Sequence, residues 1–216
     1  ARNMIERGEY KQAIEIINKC EKLNSSYSEV YRFRMQAYDK LGETTKAIND
    51  MMLYIQTAEN IADDKLYNII DKNLEYSLSA VKKKFAETNN AYYKHLLVYI
   101  YRTKHDYVNA IVEYNKMEKD YGPSQSLYYY RAFCYNEIGD VDKAIEDMTK
   151  CFEMGEGKDF YSIVTRADFY RGVGKYDEAI ADFKLASEVE PLDVYPYYKL
   201  GWCYELKGDD KTAMEY

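Results

Sequence analysis

The ten residues "GKYDEAIADF" at positions 174–183 occur in variant form at five other points of the chain. The copies are "GEYKQAIEII" from Gly8, "GETTKAINDM" from Gly42, "HDYVNAIVEY" from His105, "GDVDKAIEDM" from Gly139 and "GDDKTAMEY" from Gly208. Their first residues are separated by 34, 63, 34, 35 and 34 positions. A fixed period of about 34 residues predicts a solenoid built from similar supersecondary units.

Each unit is predicted to contain two helices. Leu200, Gly201 and Tyr204 form an apolar stripe with helical spacing, and Gly208 then permits the positive φ that ends a helix. The next helix carries apolar residues at i, i+4 and i+7, as Ala179, Phe183 and Ala186 do one unit earlier. A helix pair is therefore the repeating element.

One position of the second helix is alanine in every copy. The six residues are Ala13, Ala47, Ala110, Ala144, Ala179 and Ala213. A larger side chain at this position would overpack a close helix–helix contact, so we expect these residues to be fully buried.

Two stretches carry a family resemblance. "YYKLGWCY" at 197–204 resembles the tetratricopeptide repeat signature W-x2-L-G-x2-Y with Tyr in place of Trp. Ala179, Phe183, Ala186 and Pro191 match its second half, A-x3-F-x2-A-x4-P. The resemblance covers residues 1–61 and 91–216, and it implies an all-α, right-handed superhelical solenoid of antiparallel helix pairs.

The period divides residues 1–216 into a single array. We predict a partial repeat at 1–27, repeats at 28–61, 91–124, 125–159 and 160–193, and a truncated repeat at 194–216. Residues 62–90 lack the Gly-x-x-x-x-Ala pattern and are predicted to form a degenerate short repeat. This segment is either a helix pair with a left-handed Asn73 between the helices or one long helix. Because both ends fall inside a repeat, we expect the sequence to be a fragment of a longer chain.

Composition narrows the class of protein. Thirty basic and thirty-seven acidic residues give a net charge of −7, which argues against non-specific nucleic-acid binding. The longest apolar run, 96–101, is too short to cross a bilayer, so no membrane insertion is expected. Cys20, Cys134, Cys151 and Cys203 lie at apolar repeat positions, where we expect buried free thiols. Free thiols favour a cytoplasmic location for a soluble protein, and an exported one stays open.

No catalytic or cofactor chemistry can be identified in the sequence. "GEGKD" at 155–159 lacks a further glycine at the spacing Gly-x4-Gly-Lys and a hydroxyl after the lysine, both of which a phosphate-binding loop requires, so we interpret it as a turn between repeats. The two histidines, His95 and His105, have no zinc-binding partners at suitable spacing. We therefore expect a protein that is not an enzyme and that has no metal or cofactor.

The first helix of each unit carries a second stripe, displaced by one residue from the apolar stripe. The family resemblance implies that this second stripe lines the concave face, where peptides or partner helices bind. It is polar in the first full unit, at Glu29, Arg32, Gln36 and Asp39, and aromatic from Tyr92 onward. The predicted groove residues are Tyr92, His95, Tyr99, Arg102, Tyr129, Phe133, Asn136, Tyr161, Arg171, Tyr195, Tyr198 and Trp202.

Three functional interpretations stay open. The first is a protein–protein interaction scaffold that binds a peptide or helix in the aromatic groove. The second is a ligand-binding module, for example for carbohydrate, that uses tyrosine faces for stacking. The third is a spacer or oligomerisation arm for a catalytic domain outside these residues, and homo-oligomers are compatible with all three. Alternatively, the rings pack between adjacent repeats and leave no groove.

Arginine occupies an unusual position in three repeats, where the family has leucine. Arg34, Arg131 and Arg166 each precede an aspartate by sixteen residues, at Asp50, Asp147 and Asp182. Repeats with leucine at the first position lack the aspartate. We therefore predict a recurring ion pair, to the second helix of the same unit or to the next helix along, in a half-buried bidentate contact.

Overall fold

A computed structural model describes residues 1–58, 61, 65–155 and 159–216. The predicted repeats 28–61, 62–90 and 125–159 and the predicted turn 155–159 each include residues outside these ranges. The described part is all α-helical, with fourteen helices and no strand. None of these helices combines the length and apolar character that crossing a bilayer requires.

The chain divides into two compact units, residues 1–106 and 107–216. The first contains α1 (Arg2–Glu6), α2 (Tyr10–Leu23), α3 (Ser28–Lys40), α4 (Thr44–Thr57), α5 (Lys65–Asp71), α6 (Leu74–Thr88) and α7 (Ala91–Thr103). The second contains α8 (Tyr107–Tyr121), α9 (Gln125–Glu137), α10 (Val141–Met154), α11 (Phe160–Gly172), α12 (Tyr176–Val189), α13 (Val194–Leu206) and α14 (Asp210–Ala213). The predicted repeat 91–124 takes residues from both units, and the proposed division into repeats stays a prediction.

The alanine position marks close helix–helix contact, as predicted. Five of its six alanines, Ala13, Ala47, Ala110, Ala144 and Ala179, have no exposed surface. In the last pair, a Cβ added to Gly201 would lie 3.2 Å from the carbonyl oxygen of Ala213. Small residues on both helices therefore allow the two backbones of a pair to approach.

Between the paired helices the chain turns through a left-handed residue. Gly139 has φ +82° between α9 and α10, and His105 has φ +57° at the corresponding position after α7. His105, which begins the copy that lacks the glycine, therefore adopts the left-handed conformation that glycine adopts in the other copies. A Cβ in this region is strained, by about 1–2 kcal/mol for an ordinary residue.

Replacing His105 by glycine should stabilise the protein. The strain relieved is about 1–2 kcal/mol, and the greater entropy of an unfolded glycine offsets part of it, so we expect a net gain of about 0.5–1 kcal/mol. Gly139→Ala is the reverse control and should destabilise by about 1–2 kcal/mol. Urea unfolding measures both free energies; an unchanged or less stable His105→Gly protein would contradict this account.

Residues 65–88 form two helices, not one. Asn73 separates α5 from α6 with φ −155°, so the expectation of a left-handed residue there was wrong. Its side chain instead accepts a hydrogen bond from the backbone N–H of Tyr76 and caps α6. An N-cap adopts an extended backbone and satisfies a free N–H of the first turn, which glycine-like geometry would not do.

The predicted Arg–Asp ion pairs are confirmed. Arg131 donates from Nε and Nη2 to Asp147 at 2.6 and 2.9 Å, joining α9 to α10. Arg34 contacts Asp50, and Arg166 contacts Asp182, in the same bidentate geometry at 2.7–2.8 Å. All six residues are buried, and each pair joins the two helices of one repeat.

Two of the arginines also bind the preceding helix, which the sequence analysis did not predict. Arg131 donates through Nη1 to Asn115 at 2.7 Å and to Glu118 at 2.6 Å, both in α8. Burial alone would raise the pKa of Glu118, but the hydrogen bonds from Arg131 and Tyr128 outweigh it and lower that pKa. Each such arginine therefore bridges three consecutive helices.

Arg34 forms the same three-helix bridge in the first unit, whereas Arg166 makes different contacts with its preceding helix. Arg34 binds Asn18 and Glu21 of α2, and the hydrogen bond from Arg34 lowers the pKa of Glu21. Arg166 instead stacks on the ring of Phe152, 4.3 Å from its centroid, and lies 3.5 Å from the hydroxyl of Thr149. Asp182 is thus its single hydrogen-bonded carboxylate among the described residues.

Three of the four cysteines are buried free thiols, as expected, and Cys20 is exposed. Cys20 and Cys151 occupy the same position in α2 and α10, but their surroundings differ. Met4 and Ile5 of α1 pack against Ala13 and Ile17.

Candidate functional site

In the first unit the second stripe changes from polar to aromatic. Glu29 and Arg32 of α3 pair with each other at 2.8 Å, and Asp39 accepts a hydrogen bond from Lys72. On α7, Tyr92, Tyr99 and Arg102 are half-buried and His95 is exposed.

Tyr99 is held by the short helix α5. Its hydroxyl donates to the carboxylate of Asp71 at 2.8 Å, and its ring centroid lies 4.6 Å from that of Tyr67. Burial and the hydrogen bond with Asp71 raise the pKa of Tyr99. Tyr67 and Asp71 could not be predicted, because the degenerate repeat lacks the pattern that sets the register.

In the second unit the stripe begins with a row of touching rings. Tyr129 and Phe133 lie one turn apart on α9 with centroids 5.1 Å apart, and Phe133 meets Phe169 of α11 edge-on at 5.9 Å. Tyr130 packs edge-on against Tyr129 at 5.5 Å. These edge-to-face contacts are favourable aromatic geometries. Phe169 is buried and was not predicted, since it belongs to the apolar stripe.

A carboxylate connects α11 to α13 further along the stripe. Asp168 accepts a hydrogen bond from the hydroxyl of Tyr195, contacts Arg171 at 3.2 Å and lies 3.2 Å from the Nζ of Lys199. Burial, followed by the hydrogen bond with Asp168, raises the pKa of Tyr195. One carboxylate thus holds a cation of its own helix, Arg171, and a cation and a phenol of α13, Lys199 and Tyr195.

The two cations also lie against aromatic rings. The guanidinium of Arg171 is 4.3 Å from the ring centroid of Trp202, and the Nζ of Lys199 is 5.0 Å from the same ring and 4.9 Å from Tyr195. Such cation–π contacts are stronger when they are partly desolvated. Lys199 was not predicted, because it lies one residue beyond the stripe position of Tyr198.

Exposure differs along the stripe of the second unit. Tyr161, Tyr198 and Tyr195 expose 68%, 65% and 38% of their surface. The other predicted residues are half-buried: Tyr129, Phe133, Asn136, Arg171 and Trp202. Two of the exposed rings therefore have support from the side, Tyr198 from Trp202 and Tyr195 from Lys199.

An open cavity of about 820 Å³ lies on α13 and α14. It is bounded by Tyr198 and Trp202 of the stripe together with Val194, Tyr197, Gly201, Glu205, Asp210, Ala213, Met214 and Tyr216. Its charged lining residues are both acidic. Within the described ranges, no three metal-binding side chains lie close enough to share an ion.

Three segments of the chain, each a helix pair, match models of a known family. Residues 161–191 match one family model described as the tetratricopeptide repeat, and residues 126–153 and 197–216 match a second model with the same description. These segments correspond to the pairs α11–α12, α9–α10 and α13–α14. The chain contains tetratricopeptide repeats.

Solved structures with the same fold share little sequence with this tetratricopeptide repeat protein. A crystal structure of MamA is 21% identical, covers 81% of this chain and 88% of its own, and has a TM-score of 0.63. The C-terminal part of a repeat protein from Cytophaga hutchinsonii is 16% identical, covers 99% and 91%, and has a TM-score of 0.65. YrrB, whose structure is described as having an unusual peptide-binding site, is 15% identical, covers 94% and 89%, and has a TM-score of 0.52. The comparison with curated proteins finds no match.

Tetratricopeptide repeats in general serve as scaffolds for protein–protein interaction. The matched repeats of this chain contain seven of the predicted groove residues, namely Tyr129, Phe133, Asn136, Tyr161, Arg171, Tyr198 and Trp202. The residues of α7 lie outside the matched segments.

Proposed function

We propose that this tetratricopeptide repeat protein is a non-enzymatic scaffold that binds a peptide or partner helix on the second stripe of its second unit. The observation that carries the proposal is the combination of exposed and supported rings. Tyr161, Tyr195 and Tyr198 face solvent, while Tyr129, Phe133 and Trp202 of the same stripe are held by ring and cation contacts.

Exposed aromatic surface of this kind suits recognition. Aromatic side chains bury a large area with few rotatable bonds, and the residues that dominate protein interfaces are enriched in Trp, Tyr and Arg. Rings that neighbouring side chains already hold lose little further entropy when a partner covers them. A preformed aromatic face therefore offers anchoring at low ordering cost.

Replacing Phe133 by alanine should weaken binding of a partner peptide more than it weakens the fold. The ring is half-buried between Tyr129 and Phe169, so its loss removes both the anchor surface and the support of Tyr129. We expect about 1–4 kcal/mol of binding free energy to be lost, the usual range for a central anchor. Peptides selected from a displayed random library provide the ligand, and fluorescence anisotropy measures the affinity.

Phe152→Ala is the matched control for this experiment. Phe152 is also half-buried, but it lies on α10 against Arg166 and is not part of the stripe. It should change thermal stability and leave peptide affinity unchanged. Equal affinity of the Phe133→Ala and wild-type proteins for selected peptides would count against this site.

A glycan array tests the alternative that the tyrosines stack on sugars. Saturable glycan binding that is lost in Tyr198→Ala, together with no enrichment of any peptide, would replace the scaffold proposal by a carbohydrate-binding one. Peptide enrichment with no glycan binding would support the scaffold.

A further inference from the structure

The stripe of the second unit carries an unbalanced positive charge where Arg171, Lys199 and Asp168 meet. Arg171 and Lys199 share the single carboxylate of Asp168, and their side chains are only 20% and 10% exposed. Two cations and one anion leave a local charge of +1 beside the rings of Tyr195 and Trp202. Water screens a half-buried charge less than an exposed one, so this excess acts strongly at short range.

Both cations keep donors for a ligand. Arg171 uses Nε and Nη2 on Oδ1 of Asp168, and its Nη1 has no hydrogen-bond partner among the described residues. Lys199 has one carboxylate contact for its three N–H groups. The contacts at 3.2–3.3 Å are longer than the 2.7–2.9 Å of an optimal charge-assisted hydrogen bond.

The other charges of the surrounding helices do not neutralise this excess. Asp182 of α12 is committed to Arg166 on the opposite side of α11. Glu205, one turn beyond Trp202 on α13, is exposed to solvent and makes no ion pair within the described ranges. The stripe positions of α9, namely Ser126, Tyr129, Phe133 and Asn136, carry no charge.

We infer that the segment bound on this face carries an acidic side chain, Asp or Glu, that docks on Arg171 and Lys199 between apolar or aromatic anchors. The inference rests on the proposed function and specifies its partner. The carboxylate of the segment would neutralise the excess positive charge of Arg171 and Lys199. The neighbouring anchors would cover Tyr195, Tyr198 and Trp202. Because each cation shares its helix with an exposed ring, Tyr161 with Arg171 on α11 and Tyr198 with Lys199 on α13, the acidic residue is assigned to the interior of the segment, not to its C-terminus.

The experiment starts from a displayed library of random twelve-residue peptides selected on the full chain. The best binders are synthesised with amidated C-termini, and each acidic residue is replaced in turn by its amide. We expect one Asp or Glu per binder whose replacement weakens binding roughly 5- to 50-fold, as loss of a charge-assisted contact does. The effect should shrink at high salt because screening weakens the attraction.

Lys199→Gln supplies the protein side of the test. It should weaken the acidic peptide roughly 5- to 20-fold and leave its amide version unchanged, so that the two changes are not additive. Lys207→Gln is the control: Lys207 follows α13 but pairs with Asp177 away from the stripe, and its loss should affect neither peptide. Circular dichroism and the binding of the amide peptide show whether Lys199→Gln is folded.

Each outcome decides a different question. Peptides that bind equally well with Asp, Asn or Lys at every position would overturn the acidic-segment inference and leave the scaffold proposal standing. Binding that requires a free C-terminal carboxylate would also overturn it. If no peptide is enriched in any form, both the inference and the proposed function are wrong.

Discussion

Asp182→Ala is expected to destabilise the protein by about 3–5 kcal/mol, the cost of leaving a buried charge without its partner. Asp182 is the single carboxylate that hydrogen-bonds Arg166 within the described residues, and both residues are buried. The ring of Phe152 and the hydroxyl of Thr149 remain, but neither neutralises a guanidinium, and exposed Glu153 attracts Arg166 without a hydrogen bond. Chemical denaturation monitored by circular dichroism measures the free energy of unfolding.

Asp147→Ala should cost less, about 1–3 kcal/mol, because Glu118 and Asn115 stay bound to Arg131. The decisive test is therefore which of the two variants loses more unfolding free energy. The double replacement Arg166→Leu with Asp182→Leu should recover most of the loss, since an apolar pair can substitute for a buried ion pair. A result in which Asp147→Ala is the more damaging change would contradict the role given to Glu118.

Phe183→Ala is expected to cost about 3–5 kcal/mol through the cavity that it creates. The ring is fully buried at the centre of the second unit, among Ile163, Ala167, Ile180 and Leu200. Small residues line much of this core, and the close backbone contact at the alanine position limits how far the helices can relax. The loss in unfolding free energy should exceed that of Phe133→Ala, whose ring is half-buried.

Phe183→Leu distinguishes cavity formation from a general intolerance of change. It keeps most of the apolar volume and should cost clearly less than alanine. Similar losses for leucine and alanine would mean that the aromatic contact with Tyr195, 6.5 Å between centroids, is what matters.

The fold was predictable from the sequence because the repeat sets the register six times. Each Ala-Ile copy fixes where a second helix starts, and each glycine or His105 fixes where the first one ends. The Arg–Asp pairs were predictable for the same reason: they occur together at constant spacing within one unit. The contacts of Arg34 and Arg131 with the preceding helix were not predicted. Their acidic partners, Glu21 and Glu118, belong to the repeat before the one that contains the arginine, and the spacing was compared only within a repeat.

The candidate site could be predicted only in part. Helical spacing predicts which residues lie on one stripe of a helix, as for Tyr129, Phe133 and Trp202. It does not give which rings meet across helices or which neighbours enter from another stripe. Phe169 and Lys199 take part because they are long enough to extend from adjacent positions, and Tyr67 because α5 packs against α7 without the repeat pattern. The left-handed Asn73 was a wrong prediction for a related reason: its side chain had a nearby N–H to cap.

The three-helix bridges at Arg34 and Arg131 mean that neighbouring repeats are not interchangeable modules. Arg34 and Arg131 each bind an acid thirteen residues earlier, Glu21 and Glu118, in the helix contributed by the repeat before. Moved behind a neighbour without that acid, the same repeat would keep its own fold and lose part of its junction. We therefore expect an exchange of repeats to disturb the junction least where leucine occupies the arginine position, as at Leu97 and Leu200.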